Sequence, residues 1–154
     1  MIHAGPQILR LSNGQQCHSA KFFPIIWWNT VVKACPDRDF IQIGVQGDSI
    51  INNVRPNFDL PENEIIKLCL EAENIICVES FLPHLLAPYK LSAIVLFSKS
   101  SPVHYGYPWN RNLLKDNKYL RPDQFMHWGV CPIDPDAFIE PQSVINLLTQ
   151  PASL

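Results

Sequence analysis

The sequence predicts an α/β fold in which a parallel β-sheet carries helices on both faces. Segments typical of strands alternate along the chain with segments typical of helices, and this order builds parallel sheets. The strand-like segments at residues 74–78 ("NIICV") and 93–98 ("AIVLFS") are continuously apolar. A strand carries that pattern when both of its faces are buried, as they are between two layers of helices.

The length and composition indicate one globular domain over residues 1–154. Hydrophobic residues make up 47% of the chain and charged residues 17%, which suits a folded core and argues against disorder. The formal net charge is −2, and there is no basic cluster, so we expect neither nucleic acid nor an anionic membrane as partner. The fourteen prolines argue against a helical bundle. No apolar run reaches the roughly 18 residues of a membrane-spanning helix, so we expect no transmembrane segment.

The five cysteines predict free thiols. Their number is odd, no CxxC pair occurs, and the start of the chain has no secretory pattern. We therefore expect a reducing, cytoplasmic location. Cys17-His18 together with Cys35 fits no common zinc spacing, so we expect no metal. We also expect no cofactor.

The start of the chain predicts a strand, an irregular stretch and a helix. Residues 1–4 predict a first short strand that a Gly-Pro pair ends. Residues 7–20 are polar and contain Ser12-Asn13-Gly14, so we expect irregular structure with a turn there. Pro24 suits the first position of a helix, and a helical apolar stripe follows it to Cys35.

The middle of the chain predicts strands on either side of a helix. Residues 39–45 ("DFIQIGV") predict a strand that ends among glycines, and residues 54–60 predict a weaker strand or a loop. Residues 61–72 ("PENEIIKLCLEA") predict a helix with two glutamates near its positive end. The buried strand at residues 74–78 follows that helix directly.

The remainder predicts two helices, a strand and a long loop. Residues 82–87 suit a short helix before the strand at residues 93–98. Residues 100–118 are rich in Pro, Gly, Tyr, Trp and Asn, so we expect a long loop there. Residues 135–148 predict a final helix that Pro141 kinks or splits.

Polar or glycine-containing segments follow each predicted strand. They are residues 3–7, 44–49, 79–84 and 98–101. Parallel sheets bind their ligands beyond the carboxyl ends of the strands, so the convergence of these segments predicts a ligand crevice.

The loop at residues 79–84 brings Glu79, Ser80 and His84 close together in sequence. A loop that opens a helix offers free N–H groups to a phosphate or a sugar oxygen, and Glu79 could accept hydrogen bonds from sugar hydroxyls. The alternative is that Glu79 or Ser80 caps the helix and His84 is an ordinary interior histidine. A Ser-His-acid hydrolase fits less well, because there is no GxSxG elbow and all three groups come from one loop.

Three further residues are candidates for ligand contacts. Lys21 precedes the proline-started helix and could reinforce an anion site, or it could be a solvated lysine. Asp48 in "GVQGDS" follows a strand, where a carboxylate can reach a ribose, or it could belong to a simple turn. Ser100 in "SKSSP" belongs to a phosphate-side loop or to an ordinary surface loop.

Five short segments, in chain order, carry a resemblance to one family. They are His3-Ala4-Gly5, Lys21-Phe22-Phe23-Pro24 with Trp28, Ile43-Gly44-Val45 with Asp48, the run from Glu79 to Ala87, and the run from Val95 to Pro102. They resemble the motifs "hpG", "KxWP", "vGg" with a following acid, "DSGxxHLAxA" and "vvLFGxTxP". Together they look like the second domain of a GT-B glycosyltransferase, most closely a heptosyltransferase, which uses ADP-heptose-type donors.

The resemblance implies a Rossmann-like sheet, one half of the GT-B fold, that binds a nucleotide-sugar donor, most simply an ADP-sugar. It implies that Lys21 contacts the donor phosphates and that Asp48 contacts the ribose. Glu79, Ser80 and His84 would hold the sugar and the diphosphate. The full set of residues that would contact the donor is Gly5, Lys21, Asp48, Glu79, Ser80, His84 and Ser100.

Three positions depart from the family motifs: Glu79 replaces aspartate, and Phe81 and Ser98 replace glycines. A side chain at Phe81 predicts a block to close backbone approach by a ligand. The family's first domain supplies the acceptor site and the usual base, so no catalytic residue is identified here. We expect sugar transfer to need a second GT-B domain or another partner. Two other interpretations stay open: a non-catalytic protein-interaction module, which could be a homo-oligomer, and a relative of sugar-nucleotide epimerases or hydrolases.

Overall fold

The computed structural model describes residues 1–5, 8–10, 16–18, 21, 23–125 and 134–150. Its strands, in chain order, are β1 (Ile2–His3), β2 (Ile8–Arg10), β3 (Gln16–His18), β4 (Ile41–Gly44), β5 (Arg55–Phe58), β6 (Ile76–Val78), β7 (Ile94–Phe97) and β8 (Arg111–Leu114). Its α-helices are α1 (Ile25–Lys33), α2 (Glu62–Glu71), α3 (Phe81–Leu86), α4 (Pro102–Tyr105) and α5 (Pro141–Thr149). Strands β2 and β3 form an antiparallel hairpin, and the other six form one parallel sheet.

The strand order confirms the predicted α/β, Rossmann-like fold class. Across the sheet the order is β5-β4-β1-β6-β7-β8. The chain starts at the centre with β1, builds β4 and β5 on one side, and then crosses over to build β6, β7 and β8 on the other. This is the doubly wound order, and it reverses between β1 and β6. The register there pairs Ile2 with Ile76 and His3 with Cys77.

Helices cover both faces of the sheet because successive residues of a strand point to opposite sides. In β6, Ile76 and Val78 pack into one core while Cys77 packs into the other. The first core also contains the apolar faces of α1 and α5. The second contains those of α2 and α3. The continuously apolar strands of the sequence therefore serve two cores at once.

Aromatic side chains fix the chain just before α1 against the sheet. Phe23 is fully buried, with its ring 4.9 Å from Trp27 and 4.7 Å from Phe138. The indole N–H of Trp27 donates a hydrogen bond of 2.6 Å to the carbonyl of Ile139, which ties α1 to the segment that precedes α5. Because Phe23 is anchored in this way, Lys21 is held at the carboxyl edge of the sheet.

Three expectations about secondary structure were wrong or incomplete. Residues 100–118, predicted as a loop, contain α4 and the edge strand β8. The sequence of β8, "RNLL", is not continuously apolar, because an edge strand does not need two buried faces. Residues 8–10 and 16–18, predicted as irregular, form a hairpin, and the turn predicted at residues 12–14 lies outside the described residues.

Two proline-containing segments agree with their predictions. Pro141 splits the predicted final helix, because a short 3₁₀ turn (Pro135–Ala137) ends before it and α5 begins at it. The uncertain segment at residues 54–60 contains the edge strand β5, where Pro56 is tolerated because one side of the strand has no neighbour.

The described residues also bear on membrane spans, thiols and metals. No helix in the described part of the chain is long and apolar enough to cross a membrane. Cys35, Cys69 and Cys77 are free thiols and buried, while Cys131 lies outside the described residues. Within the same described ranges, no group of three or more His, Cys, Asp or Glu side chains could hold a metal ion.

Candidate functional site

Buried polar side chains concentrate at the carboxyl edge of the sheet, beside the point where the strand order reverses. Among the buried polar residues of the described chain, all except Gln42 lie at this edge: His3, Glu79, Ser98, Lys99, Ser100 and Ser101. His3 ends β1 and the others follow β6 and β7, and these three strands are neighbours in the sheet. Buried polar groups are the informative exception in a protein interior, and a doubly wound sheet binds ligands at this position.

Glu79 connects two of the predicted site residues. Its Oε2 lies 2.9 Å from the Lys21 ammonium and accepts a hydrogen bond of 2.8 Å from the Ser100 hydroxyl. The side chain of Glu79 is only 8% exposed and that of Lys21 is 19% exposed. A buried carboxylate needs such partners, because taking an unpaired charge out of water is costly. Three segments far apart in sequence therefore meet at one carboxylate.

His3 and Ser80 form a second contact across the switch point. The Ser80 hydroxyl lies 3.1 Å from Nδ1 of His3 and also donates to the carbonyl of Val78 at 3.2 Å. The His3 ring lies edge-on to Phe81, with 4.9 Å between the ring centroids. Burial, and to a smaller extent the nearby Lys21 charge, lower the pKa of His3 to about 4. His3 is therefore a neutral hydrogen-bonding group at neutral pH.

The loop after β7 is the most deeply buried polar segment of the edge. Lys99 forms an ion pair of 3.1 Å with Asp134, and its ammonium lies 5.9 Å from the centre of the Tyr119 ring. The hydrogen bond from Lys99 holds the pKa of Asp134 below its usual value. Gln124 contacts the backbone of the same loop. The sequence pointed to Asp134 only as a cap for the final helical segment, and it does cap the 3₁₀ turn at Pro135–Ala137. No sequence pattern pointed to Gln124.

The structure brings together four of the residues predicted for the site: Lys21, Glu79, Ser80 and Ser100. A fifth, Gly5, lies at the same edge, shortly after the end of β1. Its φ is 71°, a conformation that glycine adopts without strain. Sequence reasoning missed His3 as a contact residue, although it lies in the segment predicted to follow the first strand. That segment and the His3-Ala4-Gly5 motif were the sequence signals for it.

Asp48 and His84 lie apart from the Glu79 contacts. Asp48 accepts a hydrogen bond of 3.1 Å from the backbone N–H of Val45, so its carboxylate closes its own turn, as the alternative interpretation expected. His84 is exposed on α3, where its Nδ1 lies 3.0 Å from the Tyr107 hydroxyl. It is not the interior histidine of the alternative, and its role as a ligand contact stays a prediction.

Phe81 lies at the carboxyl edge beside His3, and the block to a ligand that its sequence position predicts stays a prediction. It is the first residue of α3, its side chain is 47% exposed, and its ring covers His3. The ring therefore packs edge-on against His3 at the carboxyl edge.

Open clefts are found at the opposite, amino edge of the sheet. One of about 390 Å³ is lined by Met1, Phe40 and Ile76 among others, and it adjoins another of about 330 Å³. Arg38 and Glu73 border both clefts and form an ion pair of 2.9 Å. None of the residues predicted for the ligand site lines either cleft. The concentration of buried polar groups therefore favours the carboxyl edge.

No family model matches the chain, nor does any curated protein or solved structure. A functional interpretation therefore rests on the sequence motifs and on the geometry of the carboxyl edge.

Proposed function

We propose that this chain binds a nucleoside-diphosphate sugar at the carboxyl edge of its sheet, as the donor-binding domain of a glycosyltransferase. The observation that carries the proposal is the contact of Glu79 with both Lys21 and Ser100 beside the switch point. The sequence motifs nominated these three residues from three separate segments, and doubly wound sheets bind nucleotides at this position.

The proposed contacts follow from the chemistry of each group. Lys21 supplies a positive charge for the diphosphate, where a phosphate oxygen would compete with Glu79 for the ammonium. Glu79, oriented by the hydrogen bond from Ser100, offers carboxylate oxygens as acceptors to sugar hydroxyls, and Gly5 lets the loop after β1 approach the ligand. An ADP-sugar is the donor that the resemblance favours. Transfer of the sugar would need an acceptor site and a base from a second domain or another partner.

Calorimetric titration of the folded protein with ADP-, UDP-, GDP- and CMP-sugars tests the proposal. We expect one of these classes to bind, and we expect Lys21→Met to weaken that binding by about tenfold to a hundredfold, because a hydrogen bond to a charged group is worth about 1.5–3 kcal/mol. Lys33→Met is the matched control, since Lys33 is exposed at the other end of α1. Absence of binding by every sugar nucleotide at millimolar concentration would sink the proposal.

A protein-interaction module is the second candidate. Val103 is 86% exposed and Phe125 is 77% exposed, and the Phe125 ring lies 5.2 Å from that of His104. Large exposed apolar side chains near one another are typical of interaction surfaces. Light scattering over a concentration series, with Val103→Asp as the comparison, separates the candidates. Self-association that Val103→Asp abolishes, without any sugar-nucleotide binding, supports the interaction module. Release of nucleoside diphosphate by the chain alone would instead favour a hydrolase or epimerase relative.

A further inference from the structure

We propose that Gln124 is a positioning residue for the carboxyl-edge site, which it serves by clamping the backbone on both sides of Ser100. This inference rests on the proposed function and deepens it, because it names the residue that sets the geometry of the ligand contacts. Gln124 acts through Ser100 and not by touching the ligand itself.

The carboxamide of Gln124 makes hydrogen bonds with all of its polar functions. Its Oε1 accepts from the backbone N–H of Ser101 at 2.7 Å. Its Nε2 donates to the carbonyl of Lys99 at 3.2 Å and to the carbonyl of Arg121 at 2.7 Å. The orientation of the amide follows from this chemistry, because exchanging oxygen and nitrogen would set N–H against N–H and carbonyl against carbonyl.

The clamp contacts the residues immediately before and after Ser100. Ser100 itself is 1% exposed, and its hydroxyl donates to Glu79 at 2.8 Å. Buried backbone groups need hydrogen-bond partners. In this loop the carboxamide of Gln124 is a partner of both the N–H of Ser101 and the carbonyl of Lys99. Removing the Gln124 carboxamide takes away the hydrogen bond to the Ser101 N–H, and we expect the Ser100 hydroxyl then to lose its fixed orientation toward Glu79.

Other contacts hold Gln124 in place, so that a long and flexible side chain can act as a clamp. The hydroxyl of Tyr105 and the guanidinium of Arg121 both donate to the carbonyl of Gln124. The backbone N–H of Arg121 also donates to the carbonyl of Lys99, at 3.0 Å. Tyr105 is the last residue of α4, which Ser101 caps. The end of β7, α4 and residues 121–124 thus form one hydrogen-bonded unit behind Ser100.

The test compares Gln124→Met, which keeps the length of the side chain and removes its hydrogen bonds, with Gln142→Met, which makes the same change on the exposed face of α5. NMR scalar couplings report the χ1 rotamer of Ser100, and amide hydrogen exchange reports the N–H of Ser101. We expect one Ser100 rotamer in the wild type and in Gln142→Met. In Gln124→Met we expect rotamer averaging and at least tenfold faster exchange at Ser101. Unchanged couplings and exchange would overturn the clamp whether or not a ligand binds.

A double-mutant cycle then tests the consequence for binding. Gln124→Met should weaken sugar-nucleotide binding about as much as Ser100→Ala does, by roughly tenfold, and should add less than twofold in the Ser100→Ala background. Fully additive effects, or wild-type affinity in Gln124→Met, would overturn the positioning role while leaving the proposed function intact. Absence of binding by the wild type would instead overturn the proposed function, and the rotamer measurement would still decide whether Gln124 holds Ser100.

Discussion

Replacing Lys21 with methionine should destabilise the protein far more than removing the similar ion pair at the opposite edge of the sheet. The Lys21–Glu79 and Arg38–Glu73 pairs have the same N–O distance, 2.9 Å. They differ in burial, because the Glu79 side chain is 8% exposed whereas that of Glu73 is 77% exposed. Loss of one partner of a buried pair costs about 3–5 kcal/mol, and an exposed pair contributes roughly 1 kcal/mol or less. Because Lys21 keeps some contact with water, we expect Lys21→Met to cost about 2–4 kcal/mol.

Urea unfolding followed by tryptophan fluorescence gives the free energies of unfolding for the two double-mutant cycles. The first cycle uses Lys21→Met, Glu79→Gln and the double variant, and the second uses Arg38→Met, Glu73→Gln and their double variant. We expect a coupling energy of about 2 kcal/mol in the first cycle and below about 0.5 kcal/mol in the second. Equal coupling energies would refute the reasoning, because they would mean that burial of the carboxylate does not determine the strength of the pair.

Three further predictions concern buried groups. The His3 pKa of about 4 lies below the ordinary 6.5, so the unfolded chain binds a proton that the native protein does not. The contribution of His3 to the free energy of unfolding should therefore fall by about 3 kcal/mol as the pH drops from 6.5 to 4. Urea unfolding of His3→Asn should lack this pH-dependent contribution, and parallel stability–pH curves for the wild type and the variant would contradict the prediction. Gln42 is buried and forms hydrogen bonds with two backbone groups of the β4–β5 connection. Gln42→Met should therefore lower the free energy of unfolding, measured in urea, by about 2–4 kcal/mol, whereas Gln46→Met at an exposed position should lower it by less than about 0.5 kcal/mol. Burial raises the pKa of Cys69 to about 12 and raises that of Cys77, so both thiols should resist iodoacetamide until guanidinium unfolds the chain; rapid native labelling of either would show that it is accessible.

The sheet was predictable where the sequence pattern reflects burial on both faces. Strands β6 and β7 are apolar throughout because each serves two cores, and the pattern located them to within two residues. Strand β8 was missed for the same physical reason, since an edge strand with arginine and asparagine in it lacks that pattern. Its pairing with β7 is determined by the tertiary structure and not by local preference.

The candidate site was predictable to the extent that it follows strand ends. Glu79 and Ser100 were found because parallel strands bring their carboxyl ends to one edge, and Lys21 was found because a proline marks the start of α1. Asp48 follows the same rule but its carboxylate bonds to its own turn, which only coordinates reveal. Gln124 carries no sequence signal, because a glutamine that bonds to backbone groups 23 residues away has no fixed spacing.

The pairing of each buried lysine with a carboxylate has a consequence for how fast a ligand associates. Lys21 is matched by Glu79 and Lys99 by Asp134, so the charge of each of these two lysines is balanced before a ligand arrives. These lysines then steer an anionic ligand little over long range, and we expect its association rate to lie near the unsteered ~10⁵–10⁶ M⁻¹s⁻¹ and to vary little with salt. Discrimination among cellular anions would come after the encounter. Only a ligand that also offers hydrogen-bond donors to Glu79 can then take the place of Glu79 as the partner of Lys21.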